Sequence, residues 1–152
     1  MNTRLALLCV VCICCGCDSR GPSLDAAGVQ QFVRDYVAAN NEADGQKVMS
    51  MVLRDAAASS IAAGQVNRGW EAIKTSTDAN VERRKGKIVL DTIEVTPLSA
   101  DAAVAVGTLN VQGAQKLGNM VVDNLPGAFT MVVKQTPEGP RLVHEHYSIR
   151  TK

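Results

Sequence analysis

Beyond residue 17 this 152-residue chain has no cysteine; all five lie at positions 9, 12, 14, 15 and 17. A body without thiols forms no disulfide, offers no thiolate to a metal and uses no cysteine nucleophile, so zinc-finger and cysteine-hydrolase readings are excluded for it. Histidine is almost as scarce, with His144 and His146 the only two. No apolar run reaches the roughly 20 residues that a transmembrane helix needs. An excess of one charge is missing as well: 16 Lys and Arg stand against 15 Asp and Glu. A near-neutral chain without a basic cluster is a poor nucleic-acid binder, and no nucleic-acid partner is expected. The one dense basic stretch, Glu82 to Lys87, falls where a helix gives way to a strand and reads as a solvated helix end suited to the macrodipole. Internal repeats, low-complexity tracts and glycine-rich phosphate loops are absent.

What is present at the front end is an apolar run of eleven residues, Leu5 to Cys15, behind a positive Arg4. Its length suits the apolar region of a secretory signal peptide. A buried N-terminal element is the alternative, but the Gly/Pro/Ser stretch that follows is linker-like. Gly16-Cys17, with Cys14 and Cys15 before it, resembles a bacterial lipoprotein lipobox, in which a small residue precedes the cysteine that is lipidated and becomes the first mature residue. Cys14 and Cys15 stand where leucine and a small residue are usual. The resemblance implies cleavage after Gly16, lipid attachment at Cys17 and an extracytoplasmic domain tied to the cell membrane or outer membrane, since several acyl chains hold a protein on a bilayer at about 0.8 kcal/mol per buried methylene. Residues 1–16 are then a leader and residues 17–24 a lipidated cysteine with its tether. Residues 25–152 form one domain, large enough for its own core. Loss of Arg4 with the leader leaves the mature chain with fifteen charges of each sign.

From Asp25 the pattern is helical. Val29, Phe32, Val33, Tyr36 and Val37 make one apolar stripe, with Asn40-Asn41 as the stop. Asp44-Gly45 opens a second, shorter helix with Val48, Met51 and Val52 inward. Residues 56–63 read as a short strand or as a continuation of that helix. Gly69-Trp70-Glu71-Ala72-Ile73 opens a third helix that runs to about Arg84. The period then changes to two. Lys87 to Pro97 reads as a strand whose apolar parity changes between Leu90 and Ile93, which predicts a bulge or burial on both faces. A turn at Leu98 to Asp101 leads into a strand from Ala102 to Val111. Residues 112–127 read as a long loop. Strands from Ala128 to Gln135 and Arg141 to Arg150 follow, joined at TPEGP. Three helices and four consecutive strands predict an α+β domain, a curved antiparallel sheet with helices on one face.

The order and wording of these elements resemble the nuclear transport factor 2-like superfamily, in particular its SnoaL-like bacterial branch. The matching stretches, spread over residues 25–150, are Tyr36-Val37-Ala38-Ala39-Asn40 followed by Asp44-Gly45, Gly69-Trp70-Glu71-Ala72-Ile73, Asp101-Ala102-Ala103-Val104-Ala105, and Pro137-Glu138-Gly139 followed by Val143-His144-Glu145-His146-Tyr147-Ser148. Pro140-Arg141 stand where the branch often has tryptophan. The resemblance implies a cone-shaped, cystatin-like domain with a pocket between helices and concave sheet, and frequent sheet-to-sheet homodimers. The superfamily includes isomerases, cyclases, hydrolases and non-catalytic binders, so the fold does not choose the function.

On a strand Leu142, His144, His146 and Ser148 share one face, while Val143, Glu145 and Tyr147 share the other. Two histidines alone do not complete a metal site, which needs three or four converging ligands. No metal or cofactor is expected. An imidazole can serve as general acid or base at neutral pH, which keeps an isomerase- or cyclase-type enzyme with His144 or His146 as base among the readings. Tyr36 is either the acid that such chemistry requires or a core residue. Trp70 is a helix-to-sheet anchor or a pocket lid. Phe32 and Phe129 read as core, and Tyr147 as part of a dimer surface. The reading that follows is a lipid-anchored envelope domain, binding rather than catalytic. Tyr36, Trp70, His144 and His146 are its ligand-binding candidates, and a small apolar molecule or a protein is the partner. A purely structural dimerisation module is the third reading.

Overall fold

The computed structural model describes residues 24–62, 64–83, 86–113, 115–117 and 120–150. The leader, Cys17 and all of the tether except Leu24 lie outside the described residues.

Helix α1 spans Ala26–Asn41, and Asp25 caps it by accepting a hydrogen bond from the Gly28 amide at 2.6 Å. This satisfies one of the helix's orphan donors. The whole predicted stripe is buried: Val29, Phe32, Val33, Tyr36 and Val37, joined by Ala39. The helix ends in a Schellman-type reversal. Ala43, at φ 56°, bonds back to Asn40 O, and the Asp44 amide reaches Ala39 O at 3.1 Å. Asp44 then caps α2, Gly45–Met51, by accepting from the Lys47 amide. One residue thus closes one helix and opens the next. The Asn41 side chain pairs with both backbone groups of Ile88 at 2.8 Å, pinning the end of α1 to the sheet. In α2, Val48 and Met49 are the buried residues, with Val52 at its end. Met51, expected inward, is half-buried.

Strand β1, Ser59–Ala62, settles the open choice for residues 56–63 in favour of a strand. It forms a hairpin with β2, Gln65–Arg68, which is absent from the sequence reading because QVNR carries a single apolar residue and no alternation. Helix α3 follows at Trp70–Arg83.

Strands β3, Lys87–Leu90, and β4, Glu94–Pro97, both pair antiparallel with β5, Ala102–Gln112. Leu90 faces Leu109 and Glu94 faces Val106, so three residues oppose two. The amides of Asp91 and Thr92 both reach Thr108 O. This is the one-residue excess that the parity change at Leu90–Ile93 predicts. Strand β8, Leu125–Thr136, and β9, Gly139–Ile149, complete the main sheet. Its order is β2-β1-β9-β8-β5-β3, with β4 beside β5.

Two expectations need correction. The main sheet has seven strands rather than four, or five with the short one at residues 56–63, and β1 runs parallel to β9, so the sheet is not wholly antiparallel. Residues 112–127 are not one loop: β6, Gln115–Leu117, and β7, Met120–Val122, form a separate hairpin. Three-residue strands among glycines give no periodicity to read.

The helices cover one face of this curved, unclosed sheet. Ala103, Ala105 and Leu109 of β5, Phe129, Met131 and Val133 of β8, and Leu142 of β9 form the floor. The α1 stripe, Val48 and Ile73 pack onto it. Each Val, Leu, Met or Phe fully buried here contributes about 1.5–3 kcal/mol. Among the described residues no helix is long and apolar enough to cross a membrane.

Candidate functional site

The site is set by a second irregularity, in the β8–β9 ladder. Val132 pairs with His144 but Val133 pairs with Leu142, which leaves Val143 as an extra residue. A bulge of this kind reverses the alternation of side chains along the strand. Leu142 therefore lies inward, with Glu145 and Tyr147, and not on the face of His144, His146 and Ser148 as regular alternation predicts.

Glu145 is 8% exposed, and Ser60 beside it on β1 is equally enclosed. Their positions match because Ser60 and Glu145 are partners in the parallel β1–β9 register. The Ser60 hydroxyl donates to Glu145 Oε1 at 2.8 Å. Tyr36, on the inward stripe of α1, lies beside the same carboxylate on the wall of one cavity. Burial holds the Tyr36 phenol well above its ordinary pKa, and the neighbouring Glu145 charge raises it further. The phenol is therefore a neutral hydrogen-bond donor over the whole physiological range.

In front of this group lies a cavity of about 160 Å³. Helix α1 supplies Tyr36 and Asn40; the β1–β2 hairpin supplies Ser60, Ala62, Gln65 and Asn67; α3 supplies Ile73, Ser76, Thr77 and Asn80; β9 supplies Glu145 and Tyr147. Nine of the twelve side chains carry a hydroxyl or an amide, and Glu145 is the one ionisable carboxylate. The cavity can accept and donate hydrogen bonds in several directions around a single buried acid.

Of the sequence candidates, only Tyr36 reaches this cavity. His144 and His146 point to the other side of the sheet. His144 Nδ1 lies 2.9 Å from the Ser59 hydroxyl, its register partner on β1. Burial lowers the His144 pKa, and His146 next to it lowers it further. His146 is exposed. Neither ring lines the cavity, so the geometry that a histidine-based proton transfer requires, an imidazole facing an acid across an enclosed space, is not built there. Trp70 is half-buried at the start of α3, with its indole nitrogen 3.5 Å from Met49 O and the Arg54 guanidinium 5.0 Å above its ring. It lines a separate open groove. Tyr147, expected on a dimer surface, lines the cavity. Among the described residues no three metal-ligating side chains converge.

Sequence reasoning missed Glu145 and Ser60. A carboxylate in phase with an inward face is a signal in itself, but the phase depends on the bulge at Val143.

A three-helix, curved-sheet architecture with an enclosed cavity defines the cystatin-like, nuclear transport factor 2-like class. The SnoaL-like domain family matches residues 29–152, and the chain belongs to that family. Solved structures agree on the fold. A cystatin-like protein from Caulobacter vibrioides superposes with a TM-score of 0.73 at 20% identity, covering 82% of this chain and 89% of that one. A protein of the same superfamily from Streptomyces avermitilis, named for a proposed dehydratase role, gives 0.71 at 18% identity over 83% and 96%. A nuclear transport factor 2-like superfamily protein from Salmonella enterica gives 0.69 at 21% identity over 82% and 89%. No curated protein matches the sequence significantly.

Proposed function

We propose that this chain is a ligand-binding domain of the cell envelope, whose interior cavity takes a small hydrogen-bonding molecule against Glu145. The observation that carries it is the cavity wall, in which hydroxyl and amide side chains surround one enclosed carboxylate. That lining favours a polar ligand over the small apolar one expected from the sequence, because an apolar guest would leave these groups without partners at about 1–3 kcal/mol each. Thermal-shift measurements with small alcohols, amides and amines beside benzene and cyclohexane test this. Polar compounds raise the melting temperature, and Ala62→Leu, which fills the cavity, removes the rise. Stabilisation by the hydrocarbons alone, or by nothing, contradicts it.

One observation favours a second reading. A phenol held neutral and a carboxylate share the same wall, and paired groups in unequal environments are what acid–base catalysis uses. In that reading Glu145, not a histidine, accepts the proton. Glu145→Gln then abolishes turnover of a bound substrate while leaving its affinity within a few fold.

The tether belongs to the same proposal. The run from Leu5 to Cys15 and the Gly16-Cys17 pair support acylation at Cys17 and a place on the outer side of a membrane. Incorporation of labelled fatty acid that is lost in Cys17→Ser tests it. The outer sheet face, where Val106 is 40% exposed, supports a homodimer. A monomeric mass in light scattering removes that element.

A further inference from the structure

The groove at Trp70 is separate from the cavity and has a different chemistry. It lies between the end of α2, the first turns of α3 and the β8–β9 turn, with a volume of about 620 Å³. Its apolar part is Met49, Val52, Leu53 and Trp70, and three cations stand around it: Arg54, Lys74 and Arg141. Glu138 is the one carboxylate among its lining residues. That acid is held below its ordinary pKa chiefly by the Thr136 hydroxyl, with Arg141 a smaller cause. Lys74 is paired with Asp78 at 2.5 Å. The Arg54 guanidinium carbon lies 5.0 Å from the Trp70 ring centroid, a cation–π contact that holds the charge beside the apolar floor. Among the described residues no carboxylate lies within salt-bridge distance of Arg54 or Arg141.

We infer that this groove is a second binding site, for an amphipathic organic anion with an aliphatic body and a carboxylate head. The positive excess around the rim attracts the head group, and the arginine guanidinium is a planar fork that matches a carboxylate. The body lies along Trp70, Met49 and Leu53. The volume is within the range of small-molecule sites, about 300–1,000 Å³. This inference is independent of the cavity, since the two share no lining residue.

Trp70 is the only tryptophan in the chain, so its fluorescence reports this groove alone. The full-length chain is titrated with octanoate and with octan-1-ol, which has the same tail without the charge. Octanoate shifts Trp70 emission saturably, octanol binds at least about tenfold more weakly, and the octanoate affinity falls as salt is raised. The paired substitution Arg54→Gln with Arg141→Gln weakens octanoate binding by about tenfold or more, the loss of two charge-assisted contacts. Lys87→Gln, which removes one positive charge on the exposed side of β3, leaves it unaltered. Equal binding of octanol, no saturable change with octanoate, or full affinity in the double variant overturns the inference. If the double variant does not fold, the octanoate–octanol comparison on the unmodified chain still decides.

Discussion

The Ser60 hydroxyl and the Glu145 carboxylate meet at 2.8 Å across the parallel β1–β9 pair, inside the fold. A hydrogen bond to a charged acceptor contributes about 1.5–3 kcal/mol, and leaving a buried carboxylate short of a donor is worse than never burying it. Ser60→Ala is predicted to lower the unfolding free energy by about 2 kcal/mol. Glu145→Gln keeps an acceptor for Ser60 and loses less. Urea unfolding of the two variants measures the order.

Tyr36 is predicted to keep its proton until the fold is lost. Its folded pKa is raised, by burial first and by Glu145 second, so its contribution to stability is present below the unfolded value near 10 and fades as pH rises above it. In Tyr147→Phe, Tyr36 is the sole tyrosine. Phenolate absorbance should then appear together with loss of the circular dichroism signal. A separate ionisation in the folded protein at an ordinary pKa contradicts the buried contact.

His144 has the opposite sign. Burial and His146 favour its neutral form, so its folded pKa lies below the unfolded value of about 6.5. Between the two values the unfolded chain binds more protons, and stability therefore falls as pH is lowered through that window. His144→Gln, which can still bond Ser59, is predicted to flatten the stability curve below about pH 6.5 relative to the parent chain. Chemical denaturation at pH 7.5 and pH 5 provides the comparison, and equal slopes for the two proteins count against it.

Gly107 marks where the β3–β4 excess residue presses on β5. A Cβ there would sit 2.0 Å from Thr92 O and 2.7 Å from the Phe129 ring. A backbone oxygen cannot step aside as a flexible side chain does, so Gly107→Ala is predicted to cost about 3 kcal/mol or to prevent folding. Expression yield and melting temperature read this directly.

The helices were legible because their signals are local. Asp25 and Asp44 cap, and the Val29-to-Val37 stripe repeats at helical spacing. The parity break at Leu90–Ile93 was legible too, since apolar residues on both sides of it keep time. The bulge at Val143 was not. Leu142, Val143 and the polar run after them fit a regular strand equally well, and only the pairing with Val132 and Val133 reveals the extra residue. That one residue decides which way Glu145 and the histidines point. The face carrying the site was therefore hidden, although every residue of it was in view. Strand β2 was illegible for another reason: it is held by its backbone pairing with β1, and its polar side chains serve the cavity.

The cavity is best tested at its own wall, through the side-chain amide signals of Asn40 and Asn67 in a nitrogen-edited NMR spectrum. During titration with small hydrogen-bonding molecules, these signals should shift saturably with at least one compound and stay still when Ala62→Leu fills the space. Signals that no such compound moves, or that only hydrocarbons move, would show that the enclosed acid does not mark a binding site.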